Sequence, residues 1–140
     1  MTSSKISVSF TILGTDSNSE DLDPDKITAI VGIQPTKMWK VGDLVSKRST
    51  LRHKQNGWSF KSKLEESATL EDHISYIFEQ LKPNWQNLVE ICTHYYTEIE
   101  CAIYFYEDDI PAIHFERQSL KLISELNAEI DIDIYDLSES

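Results

Sequence analysis

Two pairs of carboxylates stand two residues apart in segments that alternate polar and apolar side chains. Asp131 and Asp133 form one pair, Glu98 and Glu100 the other. In an extended strand, residues i and i+2 point to the same side, about 7 Å apart. Carboxylates at that spacing can hold a divalent cation, divide acid and base roles, or offer a negative surface to a basic partner. Tyr104 and Tyr106 share the parity of Glu98 and Glu100, and tyrosine is enriched where proteins meet. The simplest account of these acids is a solvated sheet face. Lys61 and Lys63 alternate in the same way on another segment, and cross-strand ion pairs would then be expected.

The histidines give a weaker pattern. His73 follows Glu71 and Asp72 beside an apolar stripe. A helical zinc site would place a second histidine one turn away, as in H-E-x-x-H, and the sequence has none. The expected role of His73 is therefore a hydrogen bond from a helix flank to a loop. A metal-dependent hydrolase using His73 and nearby carboxylates is the enzymatic alternative. His114 and Glu116 would share a face if a strand extends that far, and Cys92-x-His94 is too short a motif to act alone. Cys92 and Cys101 lie in apolar patterns, where cysteine packs as a small hydrophobe. No G-x-S-x-G elbow and no glycine-rich phosphate cradle occurs. Gly14 and Gly57 read as turn residues and Gly32 as a helix cap. No catalytic residue, cofactor or metal ligand is assigned.

The net charge of −11 conceals a sorting of charge. Residues 37–63 carry eight basic side chains against one acid, Asp43, whereas the chain from Leu64 onward carries 18 acids against three bases. A strongly acidic body argues against a protein that binds nucleic acid with its whole surface. The basic segment is the exception. Its candidates are Lys47, Arg48, Arg52 and Lys54, and Trp39 and Trp58 bracket it. Aromatics among lysines and arginines can stack bases and hold phosphates. The competing reading is a structured hairpin or loop whose tryptophans tie it to the core while its lysines stay in water.

The elements that must position these groups follow from hydrophobic period. Ile6, Val8, Phe10 and Ile12 alternate, as do Trp58, Phe60, Ser62 and Leu64. Ile99, Cys101, Ile103 and Phe105 do the same, and so do Ile130, Ile132 and Ile134. Such alternation predicts strands with one buried and one wet face. Ala112, Ile113 and His114 are expected to add a strand paired with the third across the turn at 107–111, and a short strand is expected near Lys37–Val41. Asp23-Pro24 and Gly32 bound a first helix. Thr69-x-x-Asp72 starts a second, along which Leu70, Ile74, Ile77, Phe78 and Leu81 form an apolar stripe. Pro83 ends it and opens another with Trp85, Leu88, Val89 and Cys92 inward. A last helix over 116–126 offers Leu120, Ile123 and Leu126, with Asn127 as its left-handed cap. The result is an α+β domain over residues 1–140, a one-sided mixed or antiparallel sheet with helices packed on one face. Its first six elements fit a ferredoxin-like βαββαβ unit, extended by a further βαβ.

These landmarks resemble the bacterial domain-of-unknown-function family 4279 (DUF4279). The residues that carry the resemblance are Leu22-Asp23-Pro24 with Ile27-Thr28, Gly32-Ile33-x-Pro35-Thr36, and Trp39-x-x-Gly42-Asp43. They continue with Trp58, Leu70-Glu71-x-His73-Ile74 and Asp131-Ile132-Asp133-Ile134-Tyr135. Asn127 departs from the pattern, which has a glycine before the last strand, but both residue types tolerate the same backbone. The resemblance implies a small, stand-alone bacterial cytoplasmic protein and supplies no activity. By analogy, some similar small acidic proteins act as immunity partners of secreted toxins.

The leading expectation is a non-enzymatic protein-binding module. An immunity-type inhibitor of a basic toxin is its concrete form, and Glu98, Glu100, Tyr104, Tyr106, Asp131 and Asp133 are its contact residues. Phosphate or single-stranded nucleic-acid binding through residues 37–63 is the second alternative. The start of the chain lacks the apolar run of a signal peptide, and no stretch approaches the roughly 18 apolar residues of a membrane span. The expected location is therefore cytoplasmic, with no membrane partner. Oligomeric state is left open.

Overall fold

The structure is a computed structural model that describes residues 3–15 and 21–138. Nine residues, Lys5–Leu13, form β1, whose side chains Ile6, Val8, Phe10 and Ile12 are all buried. Helix α1 (Pro24–Val31) starts where Asp23 accepts a hydrogen bond from the Asp25 amide. It ends at Gly32, whose φ of 82° lies in the left-handed region. Strands β2 (Lys37–Trp39) and β3 (Gly57–Lys61) follow. Thr69 caps α2 (Leu70–Leu81) by accepting from the Asp72 amide, and the expected stripe from Leu70 to Leu81 is buried. A 3-10 turn containing Pro83 leads into α3 (Trp85–Cys92). The long strand β4 (Tyr96–Phe105), helix α4 (Arg117–Glu125) and β5 (Glu129–Asp136) complete the chain. Asn127 has φ 54°, the left-handed turn its side chain tolerates.

The sheet order is β2-β3-β1-β4-β5. β1 lies antiparallel to β3 and β4, β2 antiparallel to β3, and β5 parallel to β4. The first four strands have the ferredoxin-like arrangement, and the further βαβ is β4-α4-β5. The helices cover one face: α2 lies on β1, α1 on β3 and α3, and α4 against α2. Trp58 is fully buried, and its indole N–H donates to Thr28 Oγ1 at 3.0 Å.

Four local expectations are corrected. Residues 112–114 form no strand. β1 and β5 already occupy both edges of β4, so a hairpin partner has nowhere to pair, and only one bridge forms, Tyr106 with Asp109. With no strand there, His114 and Glu116 share no strand face, and Glu116 stands instead at the N-cap position of α4 without a side-chain capping bond. Leu120 is 47% exposed, because α4 turns Ser119, Ile123 and the following Leu126 inward. Gly57 is a strand residue, not a turn. A Cβ there would collide with the indole of Trp39, which lies flat against the glycine.

That contact makes a test. Gly57→Ala must push the indole off β3, an overpacking change that costs about 1–3 kcal/mol. Gly42→Ala meets only open space, but its φ of 93° makes it strained, for about 1 kcal/mol. Urea midpoints should fall further for Gly57→Ala, and that variant alone should alter the near-ultraviolet circular dichroism of Trp39.

Candidate functional site

The face of the sheet away from the helices is a set of rows fixed by register. One row runs Lys37, Ser59, Thr11, Glu98, Glu129. The next runs Lys61, Ser9, Glu100, Asp131, and the following rows add Ala102 beside Asp133 and Tyr104 beside Tyr135. Base therefore gathers on β2 and β3, acid on β4 and β5, and the hydroxyl side chains of β1 stand between them. The expected cross-strand ion pairs are absent among the described residues, where the ion pairs are local ones at helix ends, Lys82 with Glu79 after α2 and His94 with Glu90 after α3. The reason is the strand order. Lys61 sits opposite Ser9 instead of an acid, because β1 lies between β3 and β4.

Five carboxylates thus share one block: Glu98, Glu100, Glu129, Asp131 and Asp133. Glu98 is half-buried, and its carboxyl is pushed up to about 7. Burial is the main cause, and the charges of Glu100 and Asp131 add to it, while a hydrogen bond from Tyr96 opposes it. Tyr96 Oη donates to Glu98 Oε2 at 2.7 Å, and that bond holds the phenol proton well above its ordinary range. The rings of Tyr104 and Tyr135 stack at 4.9 Å. The structure brings together five of the six expected contact residues, Glu98, Glu100, Tyr104, Asp131 and Asp133. Tyr106 lies past the end of β4, in the turn that bridges to Asp109. Glu129 was missed, although its parity with Asp131 marks it.

Across the face, the basic segment is a pinned hairpin. Its arms pair through Gly42 N to His53 O, His53 N to Asp43 O and Val45 N to Leu51 O, each 2.8–2.9 Å. Arg52 Nη1 donates to Gly42 O at 2.7 Å. Buried Asn56 accepts from the Val41 amide and donates to Leu22 O, both at 2.8 Å, and so ties the hairpin to the core. Trp39 is held between Gly57 and the ring of His53, which stacks on it at 4.7 Å. Lys47 and Arg48 are exposed near the tip, and Arg52 braces the hairpin. Lys54 lines a pocket of about 370 Å³ with Thr11, Lys37, Trp39, His53 and Glu100. His53 carries no sequence pattern beyond its place among lysines, yet it forms a wall of that pocket. Its pKa is lowered, first by burial and then by Lys37.

The remaining candidates are structural. His73 is 1% exposed, and its Nδ1 lies 2.7 Å from Ser62 Oγ in the loop after β3. Among the described residues, no group of three His, Cys, Asp or Glu side chains is placed to hold a metal ion. Burial pushes both thiols, Cys92 and Cys101, up to about 12, so neither supplies a thiolate near neutral pH. Among the described residues, no helix is long and apolar enough to cross a membrane.

The carboxylate block has a measurable signature. The folded protein keeps the Glu98 proton until about pH 7, whereas the unfolded chain releases it near 4.5. The folded state thus binds more protons in that window, and stability falls as pH rises through it. Glu98→Gln removes the penalty. It should stabilise the protein by roughly 1 kcal/mol at pH 8, after discounting for solvent screening, and change little at pH 4. Chemical denaturation at the two pH values reads the difference.

Searches of curated proteins and of solved structures find no match to this chain. A protein-family comparison does: the family described as a domain of unknown function (DUF4279) matches residues 4–137. That span takes in every strand and helix described above, and the chain belongs to the DUF4279 family.

Proposed function

We propose that this protein is a non-enzymatic binding module that engages a basic protein through the acidic half of its open sheet face. One observation carries the reading. Five carboxylates from two neighbouring strands are held together with no basic side chain in ion-pair contact among the described residues. Their mutual repulsion is stored in the unbound protein, and a cationic surface would relieve it. Charge of one sign on a fixed surface also speeds encounter with a partner of the other sign. The concrete version is an immunity-type inhibitor of a basic toxin domain in the bacterial cytoplasm. A steered complex of this kind should lose about tenfold or more in association rate between low and high salt. Glu100→Lys with Asp131→Lys should abolish capture of the partner on a low-salt affinity column without unfolding the protein, since both residues are exposed. If the unaltered protein retains no protein partner at low salt, or the doubly reversed one retains it equally, the proposal fails.

A second reading draws on the pocket under the hairpin. Lys37, Lys54 and His53 line it, and Lys37 and Lys54 pair with no acid among the described residues. Phosphate or the backbone of a single strand would suit them. On this reading, charge reversal at Lys37 and Lys54 should abolish binding of a fluorescent single-stranded oligonucleotide. Reversal at Lys47 and Arg48, near the hairpin tip, should weaken it less. The hydrolase alternative finds no support in the geometry, because His73 is sealed in the core against Ser62.

A further inference from the structure

The last strand is finished on one side only. β4 pairs with β5 along all eight of its residues, and no described residue pairs with its outer edge. An edge of that length presents a row of free N–H and C=O groups, which is a template for another strand. Its apolar side is also only partly covered, with Ile132 alone of its three isoleucines packed against the core. By register Ile130, Ile132 and Ile134 stand beside Ile99, Cys101 and Ile103, which are buried under the helices. Yet Ile130 is 36% exposed and Ile134 56%. The helical layer stops short of the strand, because α4 packs against α2.

The charges on β5 select the occupant. Glu129, Asp131, Asp133 and Asp136 are its only charged residues. A second copy of the strand would set these acids against their equivalents, and like charges facing each other across strands are destabilising. The edge is therefore guarded against itself and open to base.

We infer that the outer edge of β5 accepts an extended segment of a basic protein as a sixth strand. Lysine or arginine in that segment faces Asp131 and Asp133, and alternate aliphatic residues cover Ile130 and Ile134. Main-chain hydrogen bonds supply affinity, and the alternating side chains supply selectivity. This inference rests on the proposed basic protein partner and specifies how its chain is held.

A synthetic peptide tests it without the natural partner. The probe is an eight-residue peptide of alternating lysine and valine, and its control carries N-methyl groups on every backbone amide. Charge and composition match, but the control cannot complete a ladder. The unmethylated peptide should bind about tenfold or more tightly, and outward-facing β5 amides should gain protection from hydrogen exchange. Ile134→Ser, at an exposed position, should weaken only the unmethylated peptide. Equal binding of the two peptides, no binding, or binding without β5 protection would overturn the inference. Any of these results would leave standing a partner that the sheet face captures in a salt-dependent way, so the two proposals fail separately.

Discussion

The register of β1 decides where everything else lies. This strand sits in the middle of the sheet, with two antiparallel ladders to hold it, and its alternating side chains leave no choice of face. A slip of one residue would turn Ile6, Val8, Phe10 and Ile12 to water and bring Ser7 and Ser9 under the helices. Four buried aliphatic or aromatic side chains at about 1.5–3 kcal/mol each make that slip prohibitive. The same register places a strip of small hydroxyl side chains between the basic and the acidic halves of the open face. Two strand spacings, roughly 9.6 Å, separate the backbones of Lys61 and Glu100. That is close to the screening length of about 8 Å at physiological salt. The lysines of β2 and β3 therefore do little to neutralise the acids of β4 and β5, and nothing basic offsets the burial and the neighbouring carboxylates that keep the Glu98 proton in place near neutrality.

The basic hairpin depends on a different kind of contact. Its lysines repel one another, so charge cannot hold it in place. Packing and hydrogen bonds to the backbone do so instead. Trp39 lies on the bare backbone of Gly57, His53 stacks on the indole, and the Asn56 amide reaches both the hairpin and the chain before α1. Lys37 adds a hydrogen bond to Val45 O at 3.1 Å and passes 5.6 Å from the Trp39 ring. These contacts let a segment of high charge density be rigid, and they leave its remaining cations turned to solvent or to the pocket.

Period and caps made most of the frame legible. The stripe of α2, the caps at Asp23, Thr69 and Asn127, and the alternation of β1 and β4 each express a local preference that tertiary packing reinforced, whereas the alternation of β5 marked the strand but not a buried face, since Ile130 and Ile134 are exposed. The illegible parts were those set by neighbours. Residues 112–114 have strand composition, but strand order had already filled both edges of β4. Gly57 looks like a turn because sequence cannot show an indole lying across it. The ion pairs expected for Lys61 required β3 to adjoin β4, and only the order of the sheet reveals β1 between them. Most of the candidate acidic site was readable from parity alone, whereas the pocket wall at His53 depended on a stack between residues of opposite hairpin arms.

The fifth strand shows what the extension of the fold does to the surface. A ferredoxin-like unit ends at β4, with its four strands balanced by the helices that cross between them. Adding β5 through α4 widens the sheet by one strand, but α4 spends its buried side chains Ser119 and Ile123 toward the helical layer, where it meets α2. The sheet then extends beyond its cover. Ile134 is left more than half exposed for that geometric reason, and no side chain among the described residues compensates for it. The acidic block lies at the same margin, because Asp131 and Asp133 are the other face of the same strand. Uncovered apolar surface, unpaired backbone and uncompensated negative charge therefore coincide on one element, as a consequence of how the strand was added.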